Sequence, residues 1–321
     1  MKKFDRISSY NKKYAILIDN SIRKMLPLII EASVQVFGEE HREFITHTLN
    51  NLNFAYTISE SYIKASLEKT SGLSKKYIYL LNYYLKYLNY MNYKEHSKTP
   101  TESRDIKEFC FVGSDYLEDY NLDDSAISLL KEDCALSVIV KHNTKDNISK
   151  LCNLVLFPII GLDIYTVFHE LTHTITTPIL GFNEDELIFI EIFPNVEVME
   201  LINDYTSLQI FKKYLELGGK IPKVFQNINS PTDYQKLAIL IVDFYESFTP
   251  LILEATIIGS ANILISRVGE SNFKEFCDYV RRIFNSGNDI YQSDYDYLVS
   301  IIDKMLDYER VTKPFDKEKC F

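Results

Sequence analysis

The chain has 321 residues, 46% hydrophobic and 25% charged, an ordinary globular composition with room for one large or two ordinary domains. A formal net charge of -10 argues against a nucleic-acid binder, which presents a basic face. The cysteines at 110, 134, 152, 277 and 320 are scattered, odd in number and form no CxxC, which argues against a disulfide framework and a thiolate zinc site.

The opening MKKFDRISSYNKKYAILIDN lacks the apolar core and small-residue cleavage site of a signal peptide, so a cytoplasmic location is expected. Residues 1–100 read as a helical N-terminal region. TISESYIKASLEK (57–69) has Ser and Thr near its start and charges facing out. Tyr83, Tyr87 and Tyr90 follow at i, i+4, i+7, an aromatic packing stripe on one helix face. The polar stretch 94–107, which holds Pro100, reads as a linker into a second region, 101–321.

There the character changes. EFCFVG (108–113), ALSVIV (135–140) and LCNLVLF (151–157) are short, apolar and β-branched or aromatic, and read as strands. Pro158 cannot donate to a ladder, so the third run ends there or lies at a sheet edge. From Asp163 onward helix signals dominate. VEVMELINDYTSLQIFKKYLEL (196–217) closes on Gly218 and Gly219. Thr232 or Asp233 is placed to cap YQKLAILIVDFYESF, and the segments 272–284 and 296–310 are amphipathic. The longest charge-poor stretch, Ser247 to Ser266, is interrupted by Pro250 and Glu254, so no membrane span is expected. The expected fold class is α+β, mostly helical: a small mixed sheet with one functional helix, followed by a helical lobe.

That helix carries the chemistry. Residues 169–173 read His-Glu-Leu-Thr-His, the pattern HExxH. With six histidines in the chain, a chance HExxH has a probability on the order of 1%. Asp163 can cap the helix, Pro178 should end it, and Ile164, Val167, Phe168, Leu171 and Ile175 supply an apolar face. Four residues turn through about 400°, so His169 and His173 leave nearly the same face one turn apart, within reach of one tetrahedral metal. Glu170 lies about 100° round from His169, placed to take a proton without being a ligand. A catalytic zinc takes a third protein ligand, and 174–180 hold no further histidine. A carboxylate is therefore sought downstream, where Glu197, Glu200 and Asp204 lie on 195–205 and Glu191 lies just before.

HELTH followed by Glu-x-x-x-Asp resembles the gluzincin metallopeptidases, the thermolysin-like zinc enzymes. The resemblance covers roughly 135–205. It implies a zincin-like sheet and active-site helix, a Zn2+ cofactor, His169, His173 and Glu200 as its ligands, and Glu170 as the catalytic base. It implies that Asp204 supports a zinc-bound histidine. Gluzincins often add a Tyr or His that steadies the oxyanion; Tyr245 is the first candidate and Tyr205 the second. In zincins the strand before the HExxH helix lines the cleft, which makes LCNLVLF the expected partner of an extended peptide and a peptide or protein the expected substrate. The competing reading is a non-catalytic helical interaction protein whose metal site is structural or a relic. His142 reads as a surface residue, His41, His47 and His96 have no visible partners in the sequence, and Glu254 stands out as a carboxylate in an apolar stretch.

Overall fold

The computed structural model describes residues 2–57, 67–68, 75, 82, 111–112, 120–121, 135–143, 149–158, 162–176, 181–183, 186–188, 193, 195–225, 237–286 and 290–312. The tyrosine stripe at 83–90, the linker at 94–107, His96, Pro178, Glu191, Thr232 and Asp233 lie outside them. The chain forms two compact units, and neither is a continuous stretch. One comprises Met1–Leu28, Thr46–Leu171 and Gly219–Ile228; the other comprises Ile29–Ile45, Thr172–Gly218 and Asn229–Phe321.

The first unit holds a mixed sheet. Helix α1 (Lys2–Phe37) leads through a short 3-10 turn (Glu39–His41) to α2 (Arg42–Asn50), and the strands follow: β1 (Asn53–Thr57), β2 (Phe111–Val112), β3 (Tyr120–Asn121), β4 (Leu136–Asn143) and β5 (Ser149–Pro158). Their order is β2-β1-β5-β4-β3. Only β1 and β5 run parallel, with Ala55 opposite Leu156; the other pairings are antiparallel, with Ile139 of β4 opposite Asn153. Leu154, Val155, Leu156 and Phe157 are all 0% exposed, so β5 is covered on both faces. An interior strand of this kind reads as a continuous apolar run rather than an alternation. The strand ends on Pro158, as the missing N–H requires.

Strand β1 corrects the all-helical reading of residues 1–100. Asn51 turns the chain out of α2, its backbone and side-chain N–H groups both donating to the His47 carbonyl at 3.2 and 2.7 Å. The five residues that follow are too few for periodicity to separate strand from helix. The α1 residues Ala15, Ile18, Ile22 and Met25 form a buried stripe at helical spacing. Beside it Asp19 accepts a bond from the Tyr56 hydroxyl at 3.3 Å, and the Arg23 guanidinium lies 5.1 Å from the Phe54 ring centroid.

α3 (Ile164–Thr176) follows the sheet. Asp163 caps it, accepting from the Thr166 backbone N–H at 2.8 Å. Ile164, Val167, Phe168, Leu171 and Ile175, the apolar face read from the sequence, are all 0–1% exposed.

The second unit is built on helices. A small antiparallel ladder, β6 (Gly181–Asn183) with β7 (Glu186–Ile188), interrupts the expected run of helices after Asp163. Strands of three residues leave no periodic signal in a sequence. α4 (Val196–Glu216) begins at Asn195, whose extended backbone (φ -149°, ψ 146°) lets its side chain accept from the Val198 N–H at 3.1 Å. It stops before Gly218, whose φ of 87° suits a residue with no Cβ. α5 (Val242–Ile258) bends at Phe248 (φ -125°, ψ 21°), two residues before Pro250, which cannot donate and whose ring crowds the preceding turn. α6 (Asn262–Val268), α7 (Glu270–Ser286) and α8 (Gln292–Thr312) complete the unit. Phe273, Phe276, Cys277, Val280 and Ile283 form the buried face of α7; Leu298, Ile301, Ile302 and Met305 form that of α8. Phe244 of α5 stacks on Phe276 at 4.4 Å between centroids and meets Phe248 and Phe273 at 5.6 and 6.3 Å. The chain is thus mostly helical with a small sheet, and no described helix is long and apolar enough to cross a membrane.

Candidate metal centre

His169 and His173 sit one turn apart on α3, and Glu200 joins them from α4. One ligand atom from each of the three lies within 4.8 Å of the others. His173 Nε2 is 3.3 Å from Glu200 Oε2, and these side chains keep only 14% and 21% of their surface exposed. Two donors bound at ~2.0–2.1 Å to one tetrahedral ion stand about 3.4 Å apart, so this pair already has the separation of two ligands on one metal. Two imidazoles and one carboxylate are also the donor set of a hydrolytic zinc site, which leaves the fourth position for substrate or water. The three residues could hold a metal ion.

Glu170 is 7% exposed and occupies the helix position next to His169. Its neighbours Thr172, Thr174 and Thr176 are buried too, at 1%, 6% and 6%. Asp204, one turn beyond Glu200 on α4, is 4% exposed. The sequence left Glu197 and Glu200 as alternatives, and the structure separates them. Glu197 accepts from Asn285 Nδ2 at 2.8 Å and stands 3.6 Å from Arg281 Nε, both on α7. It is committed to that helix, whereas Glu200 faces the histidines.

The remaining candidates have partners or positions of their own. Tyr245 on α5 is 2% exposed, with its hydroxyl 3.0 Å from Thr206 Oγ1 and its ring edge-on to Tyr205 at 4.8 Å. Burial holds its phenol well above the ordinary tyrosine range, although the Thr206 bond pulls the other way. Tyr205 donates to Glu246 at 3.1 Å, and burial followed by that carboxylate raises its phenol too. His142 takes its place in β4 opposite Lys150 and Tyr120, His41 lies in the 3-10 turn and His47 on α2. Glu254 is half-buried on α5.

Strand β5 requires a correction. A peptide was expected to pair along its edge, but β4 takes one side of Ser149–Leu156 and β1 the other side of Leu154–Pro158, so Leu154–Leu156 is paired on both sides. The unbroken LVLF run was the available signal, since a half-exposed edge strand alternates.

Sequence reasoning also missed two buried polar residues of the α3–α4 region. Asn195 caps α4 and, through Nδ2, donates to the Cys277 carbonyl of α7 at 2.9 Å. An asparagine directly before an apolar-periodic run is a cap signal, and it was readable. Asn203, 3% exposed, accepts from the Thr176 hydroxyl at 3.3 Å and carried no comparable signal. No family model, curated protein or solved structure matches the chain.

Proposed function

We propose that the protein is a zinc-dependent hydrolase that cleaves peptide bonds, of the gluzincin type. One observation carries the reading: the two histidines of an HExxH helix and a carboxylate from a second helix present their ligand atoms within 4.8 Å of one another. His169, His173 and Glu200 would hold the ion. Zinc held there would supply Lewis acidity to polarise an amide carbonyl and acidify a water molecule.

Glu170 does the proton work. It is held beside His169 by the helix, so its carboxylate accepts a proton from the attacking water and returns it to the departing amine. Its burial keeps bulk water from competing for that proton. A purely structural metal site has no use for a buried carboxylate next to its ligands, and this favours the enzyme over the scaffold reading. Asp204 supports a ligating histidine in this proposal, fixing its tautomer. The oxyanion role is left without a residue, because the Tyr245 hydroxyl is enclosed and bonded to Thr206. Leu154–Leu156 of β5 already have strand partners on both sides, so an extended substrate would find its backbone partners away from that stretch.

The test is direct. The purified protein is loaded with zinc, its metal content is measured, and it is incubated with a mixed peptide library with and without a chelator. The proposal expects one zinc per chain and cleavage that the chelator abolishes. Stoichiometric zinc with no cleavage of any peptide would return the weight to a structural site.

A further inference from the structure

Beside the metal group, a second side-chain contact joins α3 and α4. Three residues beyond His173 stands Thr176, and three residues beyond Glu200 stands Asn203. The Thr176 hydroxyl donates to Asn203 Oδ1 at 3.3 Å, with both residues buried at 6% and 3% exposure. Residues three apart share a helix face, so the Thr176–Asn203 bond repeats the His173–Glu200 approach about one turn further along the same two surfaces. The Thr176 hydroxyl has one proton, which it shares between Asn203 Oδ1 and the Thr172 carbonyl of its own helix at 3.1 Å, and the second acceptor holds its rotamer.

We propose that Thr176 and Asn203 are positioning residues that set the register of α4 against α3 and thereby bring Glu200 to the metal. The inference rests on the zinc reading above. The magnitudes favour it. A slip of one residue moves a helix by 1.5 Å, whereas metal–ligand distances tolerate only about 0.2 Å. The His173–Glu200 approach fixes one point of α4; a directional contact one turn away restricts rotation about that point. Apolar contacts tolerate sliding, because dispersion is non-directional. A buried hydroxyl and amide do not, because each pays for a misplaced partner with an unmade hydrogen bond.

The experiment compares wild type, Thr176→Val, Thr176→Ser and Asn203→Ala. Zinc affinity is measured by competition with a chromophoric chelator, and melting of the metal-free proteins is followed by circular dichroism. Thr176→Val keeps the shape of the side chain and removes the donor, so zinc binding should weaken by about 10-fold. Thr176→Ser keeps the donor and should restore near-wild-type affinity. A merely structural hydroxyl predicts something else: a lower melting temperature in Thr176→Val with zinc affinity unchanged, and that result overturns the proposal. Should Thr176→Val fail to fold, Asn203→Ala removes the acceptor from the other helix, and unchanged affinity there overturns it equally. Wild type that binds no zinc sinks the metal reading and this inference together. Wild type that binds zinc as tightly as Thr176→Val sinks this inference alone.

Discussion

Glu197 accepts a hydrogen bond from Asn285 at 2.8 Å, which turns it to α7 while Glu200, three residues later on α4, faces His173. The two carboxylates lie on one helix and read alike in the sequence, yet they have different partners. Glu200→Gln should lose most of the bound zinc, because an amide is a poor ligand for the ion. Glu197→Gln should keep it and lose under about 1 kcal/mol of stability, since its Arg281 partner is 57% exposed. Metal analysis of both variants checks this; equal zinc loss would mean that the ligand assignment is wrong.

Glu170→Gln separates chemistry from binding. The amide nearly matches the carboxylate in shape and cannot take a proton, so zinc content and fold should survive. Peptide cleavage should fall by about 10²–10⁴-fold, the usual worth of a general base. Cleavage that persists at the wild-type rate would place the base elsewhere.

Asn195 joins a helix cap to an interhelical tie, through Val198 N–H and the Cys277 carbonyl. Asn195→Ala removes both and leaves a buried carbonyl unmatched. The expected loss is about 2–3 kcal/mol, read from the shift of the urea midpoint. A loss of a few tenths, the size of an exposed surface change, would show that the tie is not maintained in solution.

The buried phenols predict an alkaline limit. Burial pushes Tyr56 and Tyr245 far above the ordinary value of 10.0. Both therefore stay neutral in the folded chain, while the unfolded chain ionises near pH 10. Their contribution is whole below that pH and is lost as pH rises beyond it, at about 1.4 kcal/mol per pH unit for each tyrosine. Urea midpoints at pH 9 and pH 11 measure the loss, and Tyr245→Phe should flatten it. The same variant should cleave peptides at close to the wild-type rate, because the hydroxyl it lacks is spent on Thr206. A large loss of activity would return Tyr245 to the oxyanion.

Phe244 stands among Phe248, Phe273 and Phe276 at the centre of the helical core, and is 0% exposed. Phe244→Ala should cost about 3–5 kcal/mol, seen as a large fall in melting temperature. A small change would mean that the aromatic cluster rearranges to fill the space.

How much of this was legible follows from the range of each signal. The face of α3, its Asp163 cap and the HExxH spacing are local, and they could be read because helix geometry converts spacing into direction. The stop of α4 at Gly218 was legible for the same reason. Strand β1, the β6–β7 ladder and the interior place of β5 were not, because short strands take their identity from partners distant in the chain. Glu197 and Glu200 could not be told apart locally either; what separates them is Asn285, a residue of another helix.

The β1–β5 pairing has a consequence for how the chain assembles. Ala55 meets Leu156 across a parallel ladder, so about a hundred residues of chain must be looped before that contact forms. Helices α5 to α8 are neighbours in the chain and in space, and they need no such closure. Refolding should therefore show a fast gain of helix followed by a slower phase as the sheet closes, during which the unpaired rims of β1 and β5 are open to other chains.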